Sequence, residues 1–514
     1  MRKEVLRLER VTYRHDNTTI LNNFSMSMMK GEIMGLQPLE TYGLDELLYV
    51  LTENPPLYFG YVYYMEQCVN SWQDSRRGRN RISVIGMRSS LVGDLSILTN
   101  IFVLRPGFGQ KIIHDKVLIQ QLQPFLDDLQ VTLDPDLPVE RLSPYERVLV
   151  ELLRAVVAGH HLIVIREISS IISEEELKDL HRIIRHYADQ GFSFLYISMH
   201  FEEIGQICSS AAIYHDARID MVMEGVSNEK KLPRSYYQDY YNHVSSRFRH
   251  HKPGKEKREV LLDDLFGEAA GGFALSVYEG ECLVIQNMEA KTYDTLVKRL
   301  TEDRAGGESE PGHGKMTLEG IRNRKIAVLR EEPGRTMVFE DLSVLDNLCF
   351  TLDHRIPFIW THRRVRDSVR EEYIRMFGTD ICKMRTSELS RTDRLKLVYT
   401  RILLQKPDVA VLLQPFKGAD VDERYQIFLL QEMLLQKGIA IVILAVSMGD
   451  SLSIADRVIR VAPGKNGLDI REYRYEDFSK LPVYLPWVDV IDETQVMDNW
   501  QKEKENLEEG HGVR

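Results

Sequence analysis

The segment from Gln37 to Glu46 ends in a predicted helix start and lacks most of the residues that a phosphate-binding loop needs. A phosphate-binding loop offers backbone N–H groups from several glycines, a lysine for the outer phosphates and a hydroxyl for magnesium. The segment reads QPLETYGLDE, with one glycine, Gly43, and no lysine. Its last residues, Asp45 and Glu46, are carboxylates. Two like charges about 4 Å apart repel by on the order of 4 kcal/mol at a dielectric of about 20, so phosphate binding is disfavoured.

Residues that bind metals are present but poorly placed. The pairs His160-His161 and His250-His251 have no further ligands nearby in the sequence, whereas zinc sites combine several Cys and His ligands at short spacings. The five cysteines never form a C-x-x-C pair. We therefore predict no metal site and no disulfide framework.

Length and composition indicate a two-domain protein that works in the cytoplasm. A chain of 514 residues, 43% hydrophobic, is too long for one core. Its formal charge of −11 argues against nucleic acid as a partner, since phosphate binding depends on lysine and arginine. The longest apolar run, Ile439 to Val446, is far shorter than the roughly 20 residues of a membrane helix. We expect no transmembrane segment, and a cytoplasmic location that allows peripheral contact with the inner face of the cell membrane.

The two halves of the chain repeat each other. Gly31 and Gly280 are 249 residues apart, and Ser143 and Ser390 are 247 apart. Apolar runs at 162–165 and 409–412, each followed by a helical pattern, indicate strands buried on both faces of a largely parallel sheet. Each half is therefore predicted to be an α/β domain.

One helix is predicted after Ser173, a good N-cap followed by three acids, and its counterpart near Asp422. Both helices are expected to pack on the sheet through apolar faces. These faces comprise Leu177, Leu180, Ile183 and Ile184 in the first half, and Ile427, Leu430 and Leu434 in the second.

Several motifs recur in a characteristic order. They are LS with VELLRA at 142–155, YIS with EEI at 196–204, and P with GADV at 415–421. Together they resemble the ATP-binding-cassette (ABC) ATPases, specifically the tandem two-cassette subunit of monosaccharide importers, from Val5 to Val458. The resemblance implies an α/β fold of two tandem P-loop NTPase-like cassettes, each with a largely parallel sheet and a helical subdomain.

Four segments follow from this resemblance and from composition. We predict a first cassette over 1–244 and a second over 259–487. A basic linker over 245–258 joins them, and an acidic tail covers 488–514.

The resemblance also assigns nucleotide-binding positions, and most have lost their chemistry. Leu44 stands in the place of the lysine, Arg166 in that of the metal-binding aspartate, and Glu167 is a remnant of the catalytic base. Met87 replaces the magnesium-sensing glutamine and Met199 the switch histidine. The degenerate positions of the first half are Pro38, Thr41, Gly43, Leu44, Asp45, Glu46, Met87, Arg166 and Met199.

The second half is equally degenerate. Its loop has no glycine and has Tyr293 in the place of the basic residue, while Leu413 and Gln414 replace both acids. The corresponding positions are Asn287, Ala290, Thr292, Tyr293, Asp294, Leu413 and Gln414. The signature positions, which lack the glycines of the family, are Leu142, Ser143, Leu389 and Ser390.

Asp45 and Arg166 occupy positions that share one metal ion in the family. We hypothesise that the two side chains pair and replace phosphate and magnesium by internal charges, which also satisfies the helix dipole. The alternative is that both face water independently. Asp294 cannot repeat the arrangement, because Leu413 lies opposite it.

These positions predict a catalytically degenerate ABC protein that acts as a scaffold or regulatory subunit of a sugar-type transporter, with no ATP hydrolysis and no cofactor. Its expected partners are a membrane permease or another ABC subunit. One alternative is a working ATP-hydrolysing importer subunit, which would need ATP and magnesium. Another is a soluble signalling protein with no permease.

Permease docking in the family involves the region around the magnesium-sensing glutamine. The corresponding segments are Met87 to Leu98 and Arg330 to Val344. Apolar residues of the first segment either receive a short helix of a membrane partner or pack internally; they are Leu91, Val92, Leu95 and Ile97.

Overall fold

The chain divides into two compact units, Met1–Arg234 and Ser235–Arg514. The computed structural model describes residues 3–74, 78–104, 114–226, 259–262, 275–287, 297, 326–350, 352, 363–464 and 467–485. The predicted linker over 245–258 and the predicted tail over 488–514 lie outside these residues. The predicted cassette boundaries stay predictions.

The first unit contains ten strands and five α-helices among its described residues. The strands are β1 (Glu4–His15), β2 (Thr18–Met29), β3 (Ile33–Pro38), β4 (Phe59–Tyr64), β5 (Gln67–Ser71), β6 (Ile82–Ile85), β7 (Leu162–Arg166), β8 (Ser193–Ile197), β9 (Ser210–His215) and β10 (Arg218–Glu224). The helices are α1 (Leu44–Glu53), α2 (Asp115–Leu129), α3 (Pro144–Val157), α4 (Glu174–Asp189) and α5 (Phe201–Ile207), with a π-helical turn at Thr99–Val103 and 3-10 turns at Val139–Arg141 and Ile168–Ser170.

The second unit contains eight strands and six α-helices among its described residues. The strands are β11 (Glu259–Leu262), β12 (Leu275–Tyr278), β13 (Cys282–Asn287), β14 (Ile326–Leu329), β15 (Val409–Leu413), β16 (Ala440–Ala445), β17 (Arg457–Gly464) and β18 (Gly467–Arg474). The helices are α6 (Pro333–Thr336), α7 (Val344–Cys349), α8 (Arg363–Phe377), α9 (Arg391–Gln405), α10 (Val421–Gln436) and α11 (Gly449–Leu452), with 3-10 turns at Ile381–Lys383, Thr386–Glu388 and Tyr475–Lys480.

The main sheets of the two units have the same strand order. In the first unit the order is β6-β7-β8-β3-β9-β10, and in the second it is β14-β15-β16-β13-β17-β18. Five neighbouring strands are parallel in each sheet, and the sixth, a hairpin partner, is antiparallel. The predicted fold class, two tandem P-loop NTPase-like cassettes with largely parallel sheets, is confirmed.

The predicted buried strands and helix faces are also confirmed. Residues 162–165 and 409–412 are all buried in the centres of the two sheets. Ser173 caps α4, and the predicted apolar residues of α4 and α10 are buried. Helix α10 is capped by Asp420 and starts at Val421, one residue before the expected Asp422. Burial on both faces explains why these strands are apolar at every position.

An antiparallel sheet, in the order β2-β1-β4-β5, covers α1 and one face of the parallel sheet in the first unit. Its inward residues alternate with exposed ones along β2, as expected for strands with one solvated face. Phe24, on β2, and Tyr214, on β9, are both fully buried and place their rings 6.1 Å apart. This layer holds α1 against the carboxyl end of β3.

Helix α5 packs closely on β3 because β3 carries a glycine at the point of contact. A Cβ atom on Gly35 would lie 2.4 Å from Ile204 Cγ2 and 3.3 Å from Cys208 Sγ. The equivalent residue of β13 is Val284, which is itself fully buried. The equivalent strand of the second unit therefore carries a larger buried side chain at this position.

Gly35→Ala should lower the free energy of unfolding by about 1–3 kcal/mol, since overpacking forces the helix away from the strand. Gly205→Ala, within α5, is the matched control, because its Cβ would meet only Val226 O at 4.0 Å. Replacing a helical glycine by alanine should stabilise by about 0.5–1 kcal/mol. Urea denaturation of both variants checks the opposite signs, and equal effects would contradict the packing argument.

Candidate functional site

The loop between β3 and α1 is held by a tyrosine that sequence inspection missed. The buried Tyr214 hydroxyl donates a hydrogen bond to the carbonyl oxygen of Tyr42 over 2.7 Å. Gly43 is the N-cap residue of α1 with a φ of 75°, and a Cβ there would lie 2.5 Å from Tyr214 Oη. The surviving glycine is thus required by the turn and by this tyrosine.

The start of α1 carries its own negative charge. Asp45 and Glu46 lie in the first turn, and Gly43 provides no side-chain cap. Arg166, the last residue of β7, donates a hydrogen bond from Nη1 to Asp45 Oδ1. The predicted contact between these two residues is confirmed. The arginine side chain is 23% exposed and the aspartate 78%, so the pair lies at the surface of the unit.

Glu167 directs its carboxylate into the protein. The residue is buried, has a left-handed backbone with φ of 53°, and its Oε1 accepts a hydrogen bond from the backbone N–H of Met199 over 2.7 Å. Met199 is buried as well. The two positions that the family resemblance assigns to a catalytic base and a switch histidine are therefore joined by an internal bond.

A buried carboxylate network lies beside this pair. Glu203 accepts hydrogen bonds from Ser169 Oγ at 2.7 Å, from Ser198 Oγ at 2.6 Å and from the Tyr196 hydroxyl. The Tyr196 oxygen in turn lies 2.9 Å from His181 Nε2. Because Tyr196 donates to Glu203, the histidine Nε2–H donates to Tyr196, which fixes a neutral tautomer. The network thus ties together α4, β8, α5 and the 3-10 turn that follows β7.

Burial lowers the pKa of His181 to about 3, with a smaller contribution from the positive charge of Arg185. The side chain is completely inaccessible to solvent. A charged imidazolium there would be poorly solvated, so the folded protein keeps His181 neutral.

The segment after Met87 is fixed by α3. Glu151 is buried and accepts hydrogen bonds from Ser89 Oγ at 3.0 Å and from Ser90 Oγ at 2.9 Å. Arg154, one turn further along α3, donates to Ser90 O and Oγ. Met87 itself is half-buried. No sequence pattern singled out Glu151, whose partners lie about sixty residues away.

The signature positions form helix caps that the chain completes by itself. Ser143 caps α3 in a capping box, in which its Oγ accepts from Glu146 N at 3.2 Å and its N–H donates to Glu146 Oε2 at 2.7 Å. Ser390 caps α9, accepting from Asp393 N at 3.1 Å. Leu142 and Leu389, the preceding residues, are buried. Both helix starts therefore hold a carboxylate in their first turn.

The strand end of the second unit holds a different charge pair. Gln414 has a left-handed backbone with φ of 42°, like Glu167, and its Nε2 donates to Glu331 Oε1 over 2.9 Å. Lys417 Nζ donates to Glu331 Oε2 over 2.7 Å. Leu413 is buried. Sequence inspection did not identify Glu331 as a site residue. It follows the end of β14 by two residues, just as Met87 follows the end of β6, so the two positions are equivalent.

The remaining site positions of the second unit are described only in part. Asn287 is the last residue of β13. Ala290, Thr292, Tyr293 and Asp294 lie outside the described residues, so the expected absence of a charge pair at Asp294 stays a prediction.

The donor set of the first unit does not fit a triphosphate with magnesium. Two carboxylates occupy the start of α1, and the cation that the described residues place there is Arg166, which pairs with Asp45. Within the described part of the chain, no group of three or more His, Cys, Asp or Glu residues is placed to hold a metal ion. The internal pair neutralises charge at this point without a ligand.

Comparison with known proteins finds relatives along most of the chain. No family model matches it. Over 408 residues it is 25% identical to the galactose/methyl galactoside import ATP-binding protein MglA of Salmonella typhimurium, covering 75% of this chain and 78% of that protein. Over 493 residues it is 22% identical to the xylose import ATP-binding protein XylG of Histophilus somni, covering 91% and 96%.

A search of solved structures finds a crystal structure of the ADP conformation of an ATP-binding cassette of an ABC transporter. It covers 46% of this chain and 98% of that one, with 18% identity and a TM-score of 0.40.

The sheet order, repeated in the two units, fits a tandem arrangement of two P-loop-like cassettes. Along most of its length the chain is similar to import ATP-binding proteins for galactose and xylose. Among the described residues, the structure contains no helix of the length and apolar character needed to cross a membrane.

Arg166→Glu should lower the free energy of unfolding by about 0.5–1 kcal/mol more than Arg166→Met at low ionic strength, because it places a third carboxylate beside Asp45. The difference should vanish near 1 M salt, where the Debye length is about 3 Å. Arg79, which pairs with Glu53 at the other end of α1 and is 82% exposed, provides the control substitution Arg79→Glu. Chemical denaturation at two salt concentrations measures this, and a salt-independent difference would contradict the electrostatic origin.

The free energy of unfolding should fall as the pH drops from about 6.5 toward 3, because the unfolded chain protonates His181 and the folded protein does not. The contribution of one such group is about 1.4 kcal/mol per pH unit. His181→Gln keeps a donor toward Tyr196 and should give a flatter pH dependence between pH 6 and 5. Parallel slopes for the two proteins, measured by urea denaturation, would show that His181 is charged in the fold.

Proposed function

We propose that this chain is a catalytically degenerate ABC protein, a scaffold or regulatory subunit of a sugar-type ABC transporter that works without binding nucleotide. The observation that carries the proposal is the bond from Arg166 to Asp45 at the start of α1. In the family resemblance, these two positions hold the phosphate-bound metal. A side-chain ion pair at this point supplies both charges from the chain itself.

Two further arrangements support the proposal. Glu167 accepts a hydrogen bond from the backbone N–H of Met199, so an internal contact occupies one oxygen of the carboxylate that the family resemblance assigns to the catalytic base. In the second unit, Glu331 accepts hydrogen bonds from both Gln414 and Lys417 beside the end of β15. Each unit thus uses a different pair of residues for charge balance at the same edge of its sheet.

The names of the sequence relatives favour a second candidate, a working ATP-binding subunit of a sugar importer. That function requires a cation to balance the triphosphate. It also requires the side chains of Asp45 and Glu46 to move away from the start of α1, which would break the ion pair between Asp45 and Arg166. Nucleotide binding separates the two candidates directly.

Docking on a membrane permease remains part of the proposal. Of the apolar residues after Met87, Val92 is 42% exposed and available, and Leu91 and Leu95 are half-buried. Ile97 is completely buried, which favours the alternative of internal packing for this residue. In the second unit, Phe339 occupies the position equivalent to Val92 and is 40% exposed.

Titration of the purified chain with Mg-ATP and Mg-ADP up to millimolar concentration should leave its melting temperature unchanged, since the internal pair leaves no charge for the ligand to satisfy. A protein that binds nucleotide gains about 2.7 kcal/mol of stability when the ligand is at 100 times its Kd. The Salmonella typhimurium relative serves as the matched positive control in the same assay.

Arg166→Asp with Asp45→Ser restores the acid and the hydroxyl that the family resemblance assigns to these positions, and tests the pair directly. Under the proposal, the melting temperature of the unmodified chain does not respond to Mg-ATP, whereas that of this double variant shows a magnesium-dependent shift. A concentration-dependent rise of the melting temperature in the unmodified chain would favour the working-subunit candidate.

A further inference from the structure

The two units build the same exposed loop with the same buried asparagine. Asn100 donates from Nδ2 to the carbonyl oxygens of Val92, Leu95 and Ser96 at 3.1, 3.3 and 3.1 Å, and accepts from Val92 N at 2.9 Å. Asn347 makes the same four bonds with Phe339, Leu342 and Ser343, at 2.8, 3.3 and 3.1 Å and, from Phe339 N, 2.9 Å. Both amides are completely buried. We call residues 92–96 the first loop and residues 339–343 the second loop.

An arginine supports each loop from the helix behind it. Arg154 on α3 donates to the carbonyl oxygen of Ser90 at 3.4 Å, and Arg401 on α9 donates to that of Met337 at 2.7 Å. Arg401 is buried, and its guanidinium lies 5.6 Å from the Phe339 ring centroid. Because the two loops are held by matching hydrogen bonds, residues at the same position of each loop are structurally equivalent and can be compared directly.

The side chains that the loops expose are different. The first loop begins Val92-Gly93-Asp94 and the second Phe339-Glu340-Asp341. Phe339 contacts Phe350, with ring centroids 4.5 Å apart, and these rings are 40% and 52% exposed. The residue equivalent to Phe350 in the first unit is Val103, which is half-buried. The first loop therefore exposes a smaller apolar side chain, and the second presents an aromatic pair.

The two loops also differ in their charged side chains. Glu340, whose side chain is 63% exposed, pairs with Arg394 Nη1 at 2.9 Å, and it stands where the first loop has Gly93. Asp341 is exposed beside it, as Asp94 is in the first loop. The second loop thus carries one more carboxylate than the first. A partner segment suited to one loop would leave either a gap or a mismatched charge at the other.

We propose, on the basis of the docking function proposed above, that the membrane partner presents two chemically different segments to this chain. The segment for the first loop carries a large apolar side chain that fills the space over Val92 and Gly93. The segment for the second loop carries small apolar residues for the Phe339–Phe350 pair and a lysine or arginine for Glu340 and Asp341. Two identical permease segments do not meet both requirements.

The test is site-specific photo-cross-linking in cells of the native organism. A photoreactive amino acid is placed at Asp94 or at Asp341, equivalent exposed positions of the two loops, and the attached peptide is sequenced by mass spectrometry. We expect two different membrane-protein sequences, with a basic residue in the one captured at Asp341. Capture of one and the same sequence at both positions would overturn this inference and leave permease docking intact.

A failure of permease docking itself would give a different cross-linking result. If neither position captures a membrane protein, the docking function fails, and this inference fails with it. Val222, 56% exposed on β10 and outside both loops, is the control position for non-specific capture.

A loop-exchange variant gives an independent reading. Val92→Phe with Gly93→Glu gives the first loop the residues of the second, and both positions lie on the surface, so circular dichroism should show an unchanged fold. Co-purification with the partner that is captured at Asp94 should fall at least tenfold. Unchanged co-purification would mean that the first loop does not select a large apolar group, and would contradict the proposal.

Discussion

The starts of α1, α3 and α9 carry negative charge from the chain itself, and this constraint shapes the candidate site of each unit. A helix N-terminus has unpaired N–H groups and a positive end of its dipole, which favour an anion. At α1 the anion is Asp45, at α3 it is Glu146 and at α9 it is Asp393. Because each carboxylate is supplied internally, these helices are complete without a bound phosphate.

Carboxylates beside the strand ends have partners in the chain as well, and the two units provide these partners in different ways. Arg166 extends from β7 to Asp45 in the first unit, whereas Lys417 and Gln414 converge on Glu331 in the second. The parallel topology is what makes this possible, since the carboxyl ends of neighbouring strands meet at one edge of the sheet. The sheet edge to which the family resemblance assigns nucleotide and metal here brings together side chains of opposite charge.

The internal repeat separates what the fold requires from what varies between the units. Sheet order, the buried asparagines Asn100 and Asn347 and the supporting arginines are the same in both. Packing volumes at Gly35 and Val284, the charge pairs at the strand ends and the exposed residues of the two loops differ. The shared features satisfy buried backbone groups, which is costly to give up. Exposed positions carry no such cost and are free to specialise.

Periodicity, helix caps and the offset between the halves were enough to predict the buried strands, helices α4 and α10 and the tandem α/β fold, because these depend on local pattern and on burial over long segments. Sequence also showed which chemical groups the phosphate loop lacks, since a missing lysine needs no coordinates. It could not identify Tyr214, Glu151, Glu203 or Glu331 as site residues, because their partners are remote in the chain. Only the tertiary structure decided that Arg166 contacts Asp45, that Glu167 points inward and that Ile97 is buried, because distance, orientation and burial are set by the packing of strands and helices far apart in sequence.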